Sequence, residues 1–129
     1  MKTTFEKSSN MVIVYAELKN KGKDTIILKM ALDTGASYTI IPWDVAEKLG
    51  CDPAVSKNRI KIMTGSGYED TPKVKVASIS SLGKQINDIE VLVHNLPQGS
   101  YIDGLLGLNF FKNSKLSIDF KESIIEVIN

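Results

Sequence analysis

The chain has 129 residues, of which 43% are hydrophobic and 24% charged, with a formal net charge of +1 and a single cysteine. That length gives one domain able to bury a core, and the near-neutral charge leaves no electrostatic case for a nucleic-acid or anionic-membrane partner. Cys51 alone forms no internal disulfide, the apolar runs are strand-sized, and Met1 to Glu6 lacks the apolar core of a signal peptide, so a cytoplasmic protein is expected.

In chain order, Met11 to Leu18 is apolar and β-branched, Lys19 to Asp24 reads as a turn, and Thr25 to Leu32 as the returning strand of a hairpin. The second run ends in Asp33-Thr34-Gly35-Ala36-Ser37. A carboxylate at the end of a buried strand is costly unless it is hydrogen-bonded, shared or used. Thr34 offers a hydroxyl without bulk, and Gly35 lets the chain turn and another backbone approach. After Ile40-Ile41-Pro42 a helix is expected over Trp43 to Leu49, with Asp44 and Glu47 early, Lys48 late and Gly50 as its stop.

Lys61 to Asp70 reads as a mobile hairpin with Gly65-Ser66-Gly67 at its tip. Val74 and Val76 alternate with Lys73 and Lys75, and Ile89, Val91 and Val93 alternate with Glu90 and Leu92. A second helix is expected over Leu105 to Lys112. Leu116, Ile118 and Phe120 form an alternating strand, and Ile124 to Ile128 a final apolar one, read as an unpaired edge. Together these predict a mainly β chain, a closed or orthogonally packed barrel with one or two short helices. His94 reads as a strand-end or turn residue, Cys51 as a small packing residue, and Trp43 as a cap on the core or a partner contact. Thr64 to Gly67 is no phosphate loop, because no Gly-Lys-Ser/Thr follows.

Ala31 to Ser37 resembles the catalytic loop of the aspartic proteases. Asp103 to Phe111, with Leu105-Leu106-Gly107 inside it, resembles the apolar-apolar-Gly element that those enzymes carry late in each lobe. The order and separation of the two match the single-lobe, retroviral-type (retropepsin-like) branch, in the style of its cellular and bacterial members. The resemblance runs from about Thr25 to the C-terminus. It implies one acid-protease barrel over residues 1–129, one lobe per chain, and a homodimer in which two Asp33 carboxylates share a proton and activate water for peptide-bond hydrolysis. No metal or cofactor is implied; the partners are a second copy and a peptide or protein substrate.

By the same resemblance Thr34 braces the partner's loop, and Gly35 and Ala36 complete the active loop. Met63, Thr64, Gly65, Ser66 and Gly67 form a substrate-binding flap, and Leu105, Leu106 and Gly107 support the site. Asp103 is followed by Gly104 and lacks the hydroxyl neighbour, so it is a poor stand-in for a second catalytic acid. Leu108 stands where retroviral enzymes usually place an arginine, and the flap tip has fewer apolar residues than theirs. Two rival expectations are a non-catalytic, protease-like dimerisation and peptide-binding module, and a β-barrel binding domain in which Asp33-Thr34-Gly35 is only a turn. The second leaves Leu105-Leu106-Gly107 without a purpose.

Overall fold

Alternation from Ile13 to Lys19 (β2) puts Val14, Ala16 and Leu18 inside and leaves Tyr15, Glu17 and Lys19 exposed. Its partner is Ile26–Leu32 (β3), paired antiparallel from Leu18↔Ile26 to Ile13↔Ala31. The computed structural model describes residues 1–6 and 10–129. Thr39–Ile41 (β4) leads through Pro42 into Trp43–Lys48 (α1), which Leu49 closes before Gly50 at φ +78°. A 3-10 turn at Pro53–Val55 precedes Arg59–Thr64 (β5), Gly67–Ser81 (β6) and Lys84–Val93 (β7).

Six strands close on themselves in the order β2, β3, Gly104–Leu106 (β8), β4, β7, β6 and back to β2. The closing seam is Glu17↔Ser80, Leu18↔Ile79 and Lys19↔Ser78. A closed barrel leaves no free edge around its wall. β5 stands outside that ring: it pairs only with the first part of β6, forming a two-stranded arm that continues from the barrel. The core holds Leu18, Met30, Ile41, Leu49, Ile79, Leu106 and Phe110, all fully buried. Asn20, at the end of the first hairpin, donates to Leu49 O (2.7 Å) and accepts from Ala77 N (3.0 Å), tying α1 and β6 to the hairpin.

Three expectations are corrected. Leu105 and Leu106 are not helical: they belong to β8, which runs parallel to β3, and helical geometry is confined to the 3-10 turn Leu108–Phe111. Backbone pairing on both sides of β8 overrides the helix propensity of two leucines. Ile124–Ile128 (β10) is not an edge either. It is the central strand of a separate sheet, between Lys115–Asp119 (β9) and Lys2–Thr4 (β1), a strand the sequence pattern did not announce. Met1 N donates to Val127 O (2.9 Å) and Val127 N to Met1 O (3.1 Å), so the first residues occupy that edge. Phe120 leaves the alternation after β9, is exposed, and meets Phe5 edge-on at 6.2 Å between ring centroids. Trp43 and Cys51 are half-buried against the core.

Candidate active site

β3 delivers Asp33 to the mouth of the barrel, and the backbone then turns sharply. Leu32 N donates to Val12 O (2.8 Å), Asp33 N to Leu106 O (3.0 Å) and Ala36 N to Asp33 O (3.2 Å). Asp33 Oδ1 accepts from Gly35 N at 2.9 Å, which fixes the carboxylate over its own turn. The carboxylate is therefore hydrogen-bonded and only half-buried, while Thr34 and Gly35 are exposed at the apex. Ala36 is half-buried on the descending side.

The loop rests on the second sequence element. Leu108 N donates to Ala36 O (2.8 Å) and Asn109 N to Ser37 O (3.2 Å). Gly107 is buried beneath the loop, where a Cβ would lie 2.5 Å from Tyr38 O and 2.8 Å from Ala36 O, so only glycine fits. Leu106 is fully buried in the barrel core and Leu105 half-buried, and both pair with β3 at Leu32 and Ala31. The structure thus brings the two motifs into direct contact.

Two residues that sequence reasoning did not single out lock this junction. Thr39 is fully buried; its Oγ1 accepts from Gly107 N (3.1 Å) and donates to Asn109 Oδ1 (2.9 Å). Asn109 Oδ1 also accepts from Thr39 N (2.8 Å), and its Nδ2 donates to Glu90 O (2.6 Å). Every side-chain polar atom of the pair is hydrogen-bonded, as buried polar groups require. The available signals were a hydroxyl residue opening the apolar run Thr39-Ile40-Ile41 and an amide two residues after Gly107.

A groove of about 380 Å³ opens beside the loop, lined by residues 35–38, Ile40, Leu92 and residues 60–63 of β5. Its lining contains no carboxylate. The arm above it turns at Gly65-Ser66, with Thr64 and Gly67 paired and Gly67 at φ +107°. Gly65 has no positive φ, so of the two tip glycines Gly67 is the one whose backbone conformation favours glycine. Met63 and Tyr68 face each other across the arm and are exposed, whereas Ile60 and Ile62 are half-buried. Arg59 Nε meets Asp70 Oδ2 at 3.0 Å near the arm's base.

Asp103 has a structural task. Its N–H donates to Lys29 O (2.7 Å) and its Oδ2 accepts from Lys29 N (2.9 Å). Lys29 lies four residues before Asp33 on an extended strand, roughly 13 Å away at about 3.3 Å per residue. The structure does not bring these two acids together. His94 sits just past β7, with Nδ1 3.4 Å from Glu69 Oε2 of the arm, a neighbour its sequence surroundings gave no sign of. Among the described residues no group of three or more His, Cys, Asp and Glu side chains gathers as a metal site would.

The family model described as aspartyl protease matches residues 16–110. Among solved structures the chain is similar to a retropepsin-like aspartic protease from Rickettsia conorii, with a TM-score of 0.73 and 22% identity over 100% of this chain and 89% of that one. A likeness at that identity establishes the fold. No curated protein sequence matches the chain.

Proposed function

Because the chain belongs to the aspartyl protease family, we propose that it is a homodimeric endopeptidase in which Asp33 of each subunit supplies one of two catalytic carboxylates. One observation carries this reading above all. Asp33 stands on a loop locked from below by Gly107, Thr39 and Asn109, two residues before Gly35 at the edge of a groove that no carboxylate among the described residues lines. A single carboxylate is a poor activator of water near neutral pH. Two at close range hold one proton between them, so one acts as base while the other acts as acid. The exposed apex at Thr34 and Gly35 leaves room for a second copy to meet the first on a two-fold axis.

In that dimer the dyad takes a proton from water as its oxygen adds to the scissile carbonyl. The protonated partner gives its proton to the carbonyl oxygen. Collapse of the gem-diol breaks the C–N bond as the protonated carboxyl gives its proton to the leaving nitrogen and the other carboxylate takes one from a gem-diol hydroxyl, which returns the dyad to its one-proton state. The β5–β6 arm serves as the flap: its backbone adds to an extended peptide while Ile60, Ile62, Leu92 and Ile40 offer apolar surface to side chains. Substrates are extended, partly apolar peptide segments.

The test is incubation of wild type and Asp33→Asn with a diverse peptide pool at pH 4 to 7, read by mass spectrometry. Cleavage by the wild type alone supports the proposal. Equal cleavage by a folded Asp33→Asn protein, or none by either, overturns it and leaves a peptide-binding module.

A further inference from the structure

We propose that His94 and Glu69 form a positioning pair that holds the β5–β6 arm down over the groove. The backbone ladder between β6 and β7 ends at Lys73↔Leu92. Beyond that point β6 belongs to the arm and pairs only with β5. Glu69 lies four residues out along the arm, yet its carboxylate returns to within 3.4 Å of His94. The pair therefore joins the arm to the barrel wall at a place where no β6–β7 backbone pairing does so.

Its position bears on the groove from both strands. Leu92 lines the groove, and His94, just past the end of β7, continues the same face of the extended chain. Ile62 also lines the groove, and Glu69 is its direct cross-strand partner. Pulling Glu69 toward His94 brings Ile62 toward Leu92 and narrows the space between them.

The charges around His94 favour this role. On β6, Glu69 and Lys73 occupy its face, and Lys73 is engaged by Glu90 at 3.6 Å. On β4, the other neighbour of β7, Thr39 to Ile41 carry no charge, and Ile41 O accepts from His94 N at 3.0 Å. Glu69 is thus the anion available to the imidazole. The imidazole Nδ1 lies 3.4 Å from that carboxylate, a polar contact between the arm and the end of β7.

Hydrogen exchange of backbone amides in residues 60–70 tests the pair in wild type, His94→Gln and Glu69→Gln. Both side chains are partly exposed, so the variants keep the barrel, whose own exchange serves as the control. Arm protection in the wild type is expected to exceed that of either variant by about two- to five-fold, the range of a partly exposed pair. Equal arm protection in all three proteins overturns the proposal.

The kinetic consequence rests on the protease reading: either variant raises KM by a similar factor and leaves kcat unchanged. A fall in kcat at constant KM would instead give the pair a part in the chemical step and overturn a positioning role. If no protein cleaves any peptide, the protease reading fails, while the exchange comparison still decides the arm.

Discussion

At the scale of single residues, Asp33 combines a modest structural duty with a proposed chemical one. Its Oδ1 accepts one hydrogen bond from Gly35 N, and the oxygen of an asparagine accepts the same bond. Asp33→Asn is therefore expected to keep its urea midpoint to within about 0.5 kcal/mol of stability. Turnover should fall roughly 10²- to 10⁴-fold, because the amide neither takes nor gives a proton at working pH. Thr39 shows the opposite balance. Thr39→Val preserves shape but leaves Gly107 N and one lone pair of Asn109 unpaired in a buried junction, at a cost of about 1–3 kcal/mol in denaturant unfolding. Burial raises the pKa of Cys51, so the unfolded chain releases that proton before the folded one does. The folded state then binds more protons in the alkaline range, and stability falls as pH rises there. Urea titrations from about pH 8 to pH 10 should show a steeper loss in the wild type than in Cys51→Ala.

At the scale of elements, the arm and the junction under the active loop respond differently to an added methyl group. Gly67 sits at φ +107°, where an L side chain is strained, whereas Gly65 has open space and no positive φ. Gly67→Ala should loosen the arm by about 1–2 kcal/mol, seen as faster exchange of residues 60–70 and lower activity, with the barrel's unfolding midpoint nearly unchanged. Gly65→Ala should resemble the wild type in both measurements. If both variants behave alike, the arm's turn does not depend on the left-handed position at Gly67.

At the scale of the whole molecule, the proposed dyad makes activity a property of the dimer. In the proposed dimer the Asp33 loops make the intersubunit contact, and β1 lies on one side of β10 within its own chain. Activity per subunit should fall on dilution in step with the dimer fraction measured by sedimentation. A roughly ten-fold excess of Asp33→Asn subunits, allowed to exchange, should lower activity per wild-type subunit about ten-fold, because nearly every wild-type chain is then paired with an inactive one. Activity that is insensitive to the variant would place both catalytic groups in one chain.

Local chemistry made much of this legible in the sequence. The alternation of β2, the helix after Pro42 and the acid at the end of an apolar run each record a constraint that neighbouring residues impose on one another. The strand pattern predicted a mainly β barrel, while the Leu-Leu-Gly element and the role expected of Asp33 were legible through resemblance to the aspartic proteases. What the sequence left open depended on partners far away along the chain. Leu105 and Leu106 are strand because β3 and β4 lie beside them, and β10 is central because the first four residues fold over it. Thr39 and Asn109 matter because the fold brings together two residues 70 positions apart, and His94 gains its carboxylate only from the folded arm. Propensity and periodicity report on a residue's near neighbours. Hydrogen-bond partners and charge pairs across the barrel are decided by closure of the sheet, which no local window contains.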